Sequence, residues 1–261
     1  MFPSGHLHRQ RAREWDNKLT IAMSKGKKMA GRFQGFAQEG LSFLQQVCIE
    51  NDKAWFDEHR FIYERSLLTP FRALVDDLAP AMLEIDPLLE TRPAIGKTLS
   101  RIHRDTRFSH DKSLYRSRMW LTFKRSAKNW IDAPAYFFEI SPDTLRYGLG
   151  YYSASKSTMD LFRHTLRTRS DAFLQVAECC RPPFELVGES YKRLRAKDLD
   201  PAISDWYQRK TFAVMVTDND VEKLFHADLV TQLAEGFQRL EPLYQWLMTV
   251  ETMKQVNPAD L

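Results

Sequence analysis

"PAYFFEISPDTLRYGLGYY", residues 134–152, decides the fold. Two short aromatic and β-branched runs flank Ser-Pro-Asp-Thr, whose members favour tight turns, so the stretch reads as a hairpin. Gly148 and Gly150 fall inside the second run. A glycine in a strand marks a bulge or a close backbone approach. Working outward, "MWLTFKR" (119–125) precedes the hairpin as a further strand, and "KTLSRIHRD" (97–105) before it is expected to be another. Consecutive strands with short links favour an antiparallel sheet.

The flanks change period. Residues 36–86 read as helices. "GLSFLQQVCIEN" gathers Leu41, Phe43, Leu44, Val47 and Cys48 toward one face. Asn51 or Asp52 can cap a second helix bearing Trp55, Phe56, His59, Ile62 and Tyr63. Pro70 suits the first turn of a third, which Pro80 is expected to kink or end. After the hairpin, "STMDLFRHTLRTRSDAFLQVAECC" reads as one helix stopping before Pro182-Pro183, and "KTFAVMVT" as a short strand. Residues 219–250 close the chain as helices, with a stripe of Leu224, Phe225, Leu229, Leu233, Phe237 and Leu240. Helices, a meander of strands, then helices give the fold class α+β, an antiparallel sheet flanked by N-terminal and C-terminal helical layers.

The 261 residues carry a formal net charge of +4. Residues 1–32 hold eight basic and two acidic groups, a net of +6, so the rest of the chain carries −2. A mildly acidic body argues against nucleic acid as the main partner. Residues 1–32 are expected to be a disordered basic leader, within which Met23 and Met29 are alternative starts, and 33–261 a single α+β domain. No apolar run is long enough to span a membrane and no secretory core follows the first residues, so the expected location is the cytoplasm. Cys48, Cys179 and Cys180 fit neither a disulfide framework nor a zinc site.

The most distinctive stretch is "RIHRDTRFSHDKSLY", residues 101–115. From Arg101 to Lys128 nine basic groups face two acidic ones, Asp105 and Asp111. Arginine forks match phosphate and carboxylate geometry. On a strand Arg101, His103 and Asp105 would share a face.

Arg101-Ile-His-Arg104-Asp105-Thr-Arg107-Phe108, followed by Asp111-Lys112 and Tyr115, resembles the signature of a bacterial family known as domain of unknown function 2461. The segments Phe43–Glu64, Tyr136–Tyr152 and Tyr191–Pro201 extend the resemblance over roughly residues 36–249. The last segment departs from the family pattern: Leu194 stands where a proline is usual, and a glycine–aromatic pair is missing. The resemblance implies no activity, substrate or cofactor.

Four readings of the charged stretch compete. In the first, Arg101, Arg104, Arg107, Lys112 and Arg116 bind an anionic small molecule. Asp105 or His103 then acts as general acid or base, Tyr115 donates a hydrogen bond, and Gly148 and Gly150 let backbone approach the ligand. In the second, arginines and aspartates form a structural network pinning a long loop. In the third, Trp120, Phe123, Trp130 and Tyr136 join the cations as a nucleic-acid surface. In the fourth, His103, Asp105, His110 and Asp111 hold a metal, which the surrounding cations oppose. Two aspartates cannot neutralise five cations between Arg101 and Arg116, which favours the first reading. The expected site is a pocket at the mouth of the sheet, lined by 101–116 and 147–152, for a phosphate-bearing or other anionic ligand. The residues name no cofactor or oligomeric state, and they leave open whether the ligand is turned over.

Overall fold

The computed structural model describes residues 33–105, 107, 111–126, 130–193 and 199–255. The leader expected over residues 1–32 lies outside them. Helix α1 spans Gln38–Glu50 and α2 Lys53–Tyr63. The Asp52 carboxylate caps α2 by accepting the Trp55 amide at 2.9 Å. A π-helical segment, Glu64–Leu68, carries the chain without a break into α3, Thr69–Ile85. Of the two expected effects of Pro80, ending the helix does not occur, since Pro80 sits inside α3. The helix continues because its apolar face, Phe71 through Ile85, is buried along its length.

The sheet has the order β1-β2-β3-β5-β4, with every pair antiparallel. Its strands are β1 Met119–Phe123, β2 Pro134–Ile140, β3 Leu145–Tyr151, β4 Glu185–Val187 and β5 Ala213–Asp218. The hairpin holds, with Tyr136 opposite Leu149 and Phe138 opposite Tyr147. Burial alternates along β2, so Tyr136, Phe138 and Ile140 face the core while Phe137 and Glu139 face outward, half-buried.

The strand expected over 97–105 does not form. Gly96, with φ of +79°, turns the chain, and only isolated bridges follow, Leu99 with Leu121 and His103 with Tyr115. The helix expected over 157–180 breaks at Arg169, whose φ of −138° and ψ of 42° are not helical. It becomes α4, Lys156–Thr168, then α5, Ser170–Ala177, and a 3-10 turn. Helix α6, Pro201–Gln208, follows β4, and α7, Leu229–Arg239, and α8, Glu241–Met253, close the chain. Of the expected C-terminal stripe, Phe225 is only half-buried and the others are buried.

Aromatic contacts knit helices to the sheet's inner face. Phe237 of α7 meets Phe123, Tyr136 and Tyr147 edge-on, and Tyr244 of α8 lies 5.2 Å from Tyr136. Beneath them Asp86, buried at the end of α3, accepts from the Tyr244 hydroxyl and from Arg125 Nε at 2.6 Å. Among the described residues no helix is long and apolar enough to cross a membrane.

Candidate functional site

Residues 101–105 and 111–118 run beside each other next to β1. Arg104 N donates to the Leu114 carbonyl at 2.8 Å, and Arg116 N to that of Ile102 at 3.0 Å. Ile102 and Tyr115 anchor the two segments in the core. The Tyr115 ring stacks on Phe56 of α2, 4.8 Å between centroids, and His103 meets both rings edge-on or tilted at 5.0 to 5.2 Å. Asn51, left-handed at φ 46°, closes the contact by accepting the Leu114 amide at 2.7 Å.

The expected ligand-binding side chains separate into two groups. Arg104 and Arg107 have internal carboxylate partners. Arg104 Nη1 reaches Asp111 Oδ2 at 2.8 Å while its Nε donates to the Tyr115 carbonyl. Arg107 grips Asp105 with both Nε and Nη2, at 2.9 and 2.7 Å. Arg116 differs. Its Nη1 donates to two neutral acceptors, the carbonyls of Arg101 and His103, at 2.8 and 3.1 Å. Its guanidinium lies 5.1 Å from the Trp120 ring centre, and among the described residues it makes no ion pair. Burial pushes its pKa down from the usual arginine value. The group stays charged in any case, so its charge is under-solvated where it sits. Arg101 and Lys112 are exposed at the rim.

The expected acid–base group is only partly assembled. His103 and Tyr115 meet, but Tyr115 is buried, and burial raises its pKa. Burial first, and the nearby Arg60 charge second, lower that of His103, which keeps the imidazole neutral at pH 7. Asp105 turns to Arg107, whose fork holds it down to about 2, so it stays ionised. Of the suggested metal group, His103 and Asp105 thus face different neighbours, and His110 lies outside the described residues.

Gly148 and Gly150 serve the fold. A Cβ on Gly148 would fall 2.0 Å from the Val214 carbonyl oxygen, and one on Gly150 2.5 Å from Ala213 Cα. The expected close backbone approach is real, but the backbone is that of β5 and both glycines are buried beneath it. Buried as they are, they offer no exposed backbone to a ligand beside 101–116. Of the suggested stacking rings, Phe123 and Tyr136 are fully buried in the core and Trp120 is half-exposed, while the Trp130 side chain lies outside the described residues.

On the outer face Trp120 stands beside Glu139 and Arg146 in one cross-strand row. Arg118 and Arg146 both bond Glu139, leaving the row positive. Sequence reading missed this row. The alternation along β1 to β3 is the signal that places Trp120, Glu139 and Arg146 on one face. A family model described as conserved hypothetical protein (DUF2461) matches residues 39–246. No curated protein matches the chain.

Proposed function

The chain belongs to the DUF2461 family of conserved hypothetical proteins, and for this member we propose binding of a phosphate-bearing or other anionic ligand at the corner formed by Arg116 and Trp120. The observation that carries the reading is Arg116 itself, a half-buried guanidinium that among the described residues bonds to carbonyls alone and rests on an aromatic face. A neutral acceptor does not compensate its charge. An anion would do so, and the fork and ring together suit a phosphate with a flat substituent. Arg101 and the Arg118–Glu139–Arg146 group supply further positive potential around it. Arg104 and Arg107 already pair with Asp111 and Asp105, which supports the structural reading for those two. The reading concerns binding. Asp105 is too acidic to donate a proton near neutrality, and Tyr115 is too enclosed to reach a ligand. Equilibrium binding of phosphate and nucleotides to wild-type and Arg116→Ala chains tests it, and affinity unchanged by the substitution counts against it.

A further inference from the structure

We infer that the cleft between α4 and α6 is a second anion site, for a phosphate-bearing small molecule, separate from the Arg116 corner. Asp160, Arg163, His164 and Arg167 recur on α4 at the spacing of one helix face, while Met159, Phe162 and Leu166 bury the other. Tyr207, near the end of α6, completes a cleft of about 450 Å³ with those four residues. That volume is in the ordinary range for small-molecule sites, about 300–1,000 Å³.

The floor of the cleft is a fixed cation. Arg163 is only 4% exposed. Its Nε donates to the Tyr207 carbonyl at 2.9 Å, its Nη2 to that of Arg209 at 2.6 Å and its Nη1 to Asp160 at 2.8 Å. The guanidinium lies 5.3 Å from the Tyr191 ring centre and 5.8 Å from that of Tyr207. Asp160 is the one carboxylate lining the cleft, and it faces this cation.

The walls present donors. Arg167 sits over the Tyr207 ring at 5.0 Å, and its Nε donates to the Tyr207 hydroxyl at 3.0 Å. That hydroxyl accepts from Arg167, so its own proton is directed elsewhere. His164 stands exposed one residue beyond the floor arginine. Gln208 holds the carbonyls of Tyr191 and Arg193, which keeps the basic pair Lys192 and Arg193 in the neighbouring loop. A guanidinium, a phenol and an imidazole arranged over a buried cation suit the several oxygens of a phosphate better than the two of a carboxylate.

Inorganic phosphate titrated into the full chain at fixed pH, read by the ring-proton NMR signals of His164, tests the inference. The expected result is a saturable shift of His164. Arg167→Ala should weaken it about tenfold, the loss of one charge-assisted contact. Tyr207→Phe, which keeps the ring, should weaken it less, and Arg116→Ala should leave it unchanged. A His164 signal that does not move with phosphate overturns the inference, as does a shift of full affinity in Arg167→Ala. A shift lost in Arg116→Ala but kept in Arg167→Ala would assign the phosphate to the first site alone and also overturn it.

Discussion

Arg116 lies with its guanidinium 5.1 Å from the Trp120 ring centre, and its hydrogen bonds there go to the carbonyls of Arg101 and His103. The carbonyls fix where the charge sits without neutralising it. Arg107, nine residues earlier, shows the contrast, because its fork is closed on Asp105. On the proposed function, this difference is what singles out Arg116 rather than Arg107 for an external anion.

Arg104 and Asp111 form a solvent-accessible pair, 33% and 52% exposed. Asp111→Ala should therefore have little effect on stability. Arg104→Ala should cost more, about 1–2 kcal/mol, because it also removes the bond to the Tyr115 carbonyl. Urea unfolding of the two variants ranks them, and equal midpoints would contradict the assignment.

Asp86, just beyond α3, accepts from Leu88 N, from Arg125, two residues past β1, and from Tyr244 of α8. Asp86→Ala should destabilise by about 3 kcal/mol, since it leaves a buried hydroxyl and a guanidinium without their acceptor. Tyr244→Phe removes one donor only and should cost about 1 kcal/mol. Thermal unfolding of both variants against wild type provides the comparison.

Acid should weaken the fold in a defined window. Burial pushes the Asp86 carboxyl up, but the bonds from Arg125, Tyr244 and Leu88 outweigh it and hold the pKa below the usual range. The Arg92 fork holds Glu90 down to about 2. Groups with depressed folded pKa values stabilise above their unfolded values, about 4 for Asp and Glu, and lose that stabilisation as pH falls through the folded ones. Stability should thus begin to decline as pH falls below about 6.5, where His103 takes up a proton in the unfolded chain that the fold resists, and fall further between about pH 4 and 2 as the carboxylates protonate. Asp86→Asn should shallow that fall, and an unchanged slope would remove Asp86 from the account.

Gly148→Ala should be among the most damaging small substitutions. Its methyl would meet the Val214 carbonyl and Met215 Cα, both backbone atoms of β5, which cannot rotate aside. The expected cost is about 3 kcal/mol, at the upper end for overpacking. Circular dichroism melts measure it, and a neutral Gly148→Ala would mean that β5 lies farther away.

The hairpin at 134–152 and the flanking helices were legible because their periods are long and their turn residues are distinctive. The capping role of Asp52 was legible for the same reason. Residues 97–105 misled because Thr98, Leu99 and Ile102 look like strand residues, whereas Gly96 and long-range bridges set their path. The split of the cation cluster was not legible. Spacing shows that Arg104, Arg107 and Arg116 are close in sequence. It does not show that Asp105 and Asp111 close on the first two and leave the third on Trp120. The glycine pair announced a close approach, and only the order β3-β5 reveals what approaches. The α4 face escaped notice because Tyr207, which completes it, lies forty residues beyond Arg167.

The most direct measurement of the central claim is thermal unfolding of the Arg167→Ala chain, in which phosphate binding at the α4–α6 cleft is weakened, with and without phosphate compounds and nucleotides. The account predicts a saturable rise in the midpoint with at least one phosphate-bearing ligand, as expected for binding to the folded state. It also predicts that adding Arg116→Ala sharply reduces the rise. No rise with any of them, or a rise left undiminished by the loss of Arg116, would contradict it.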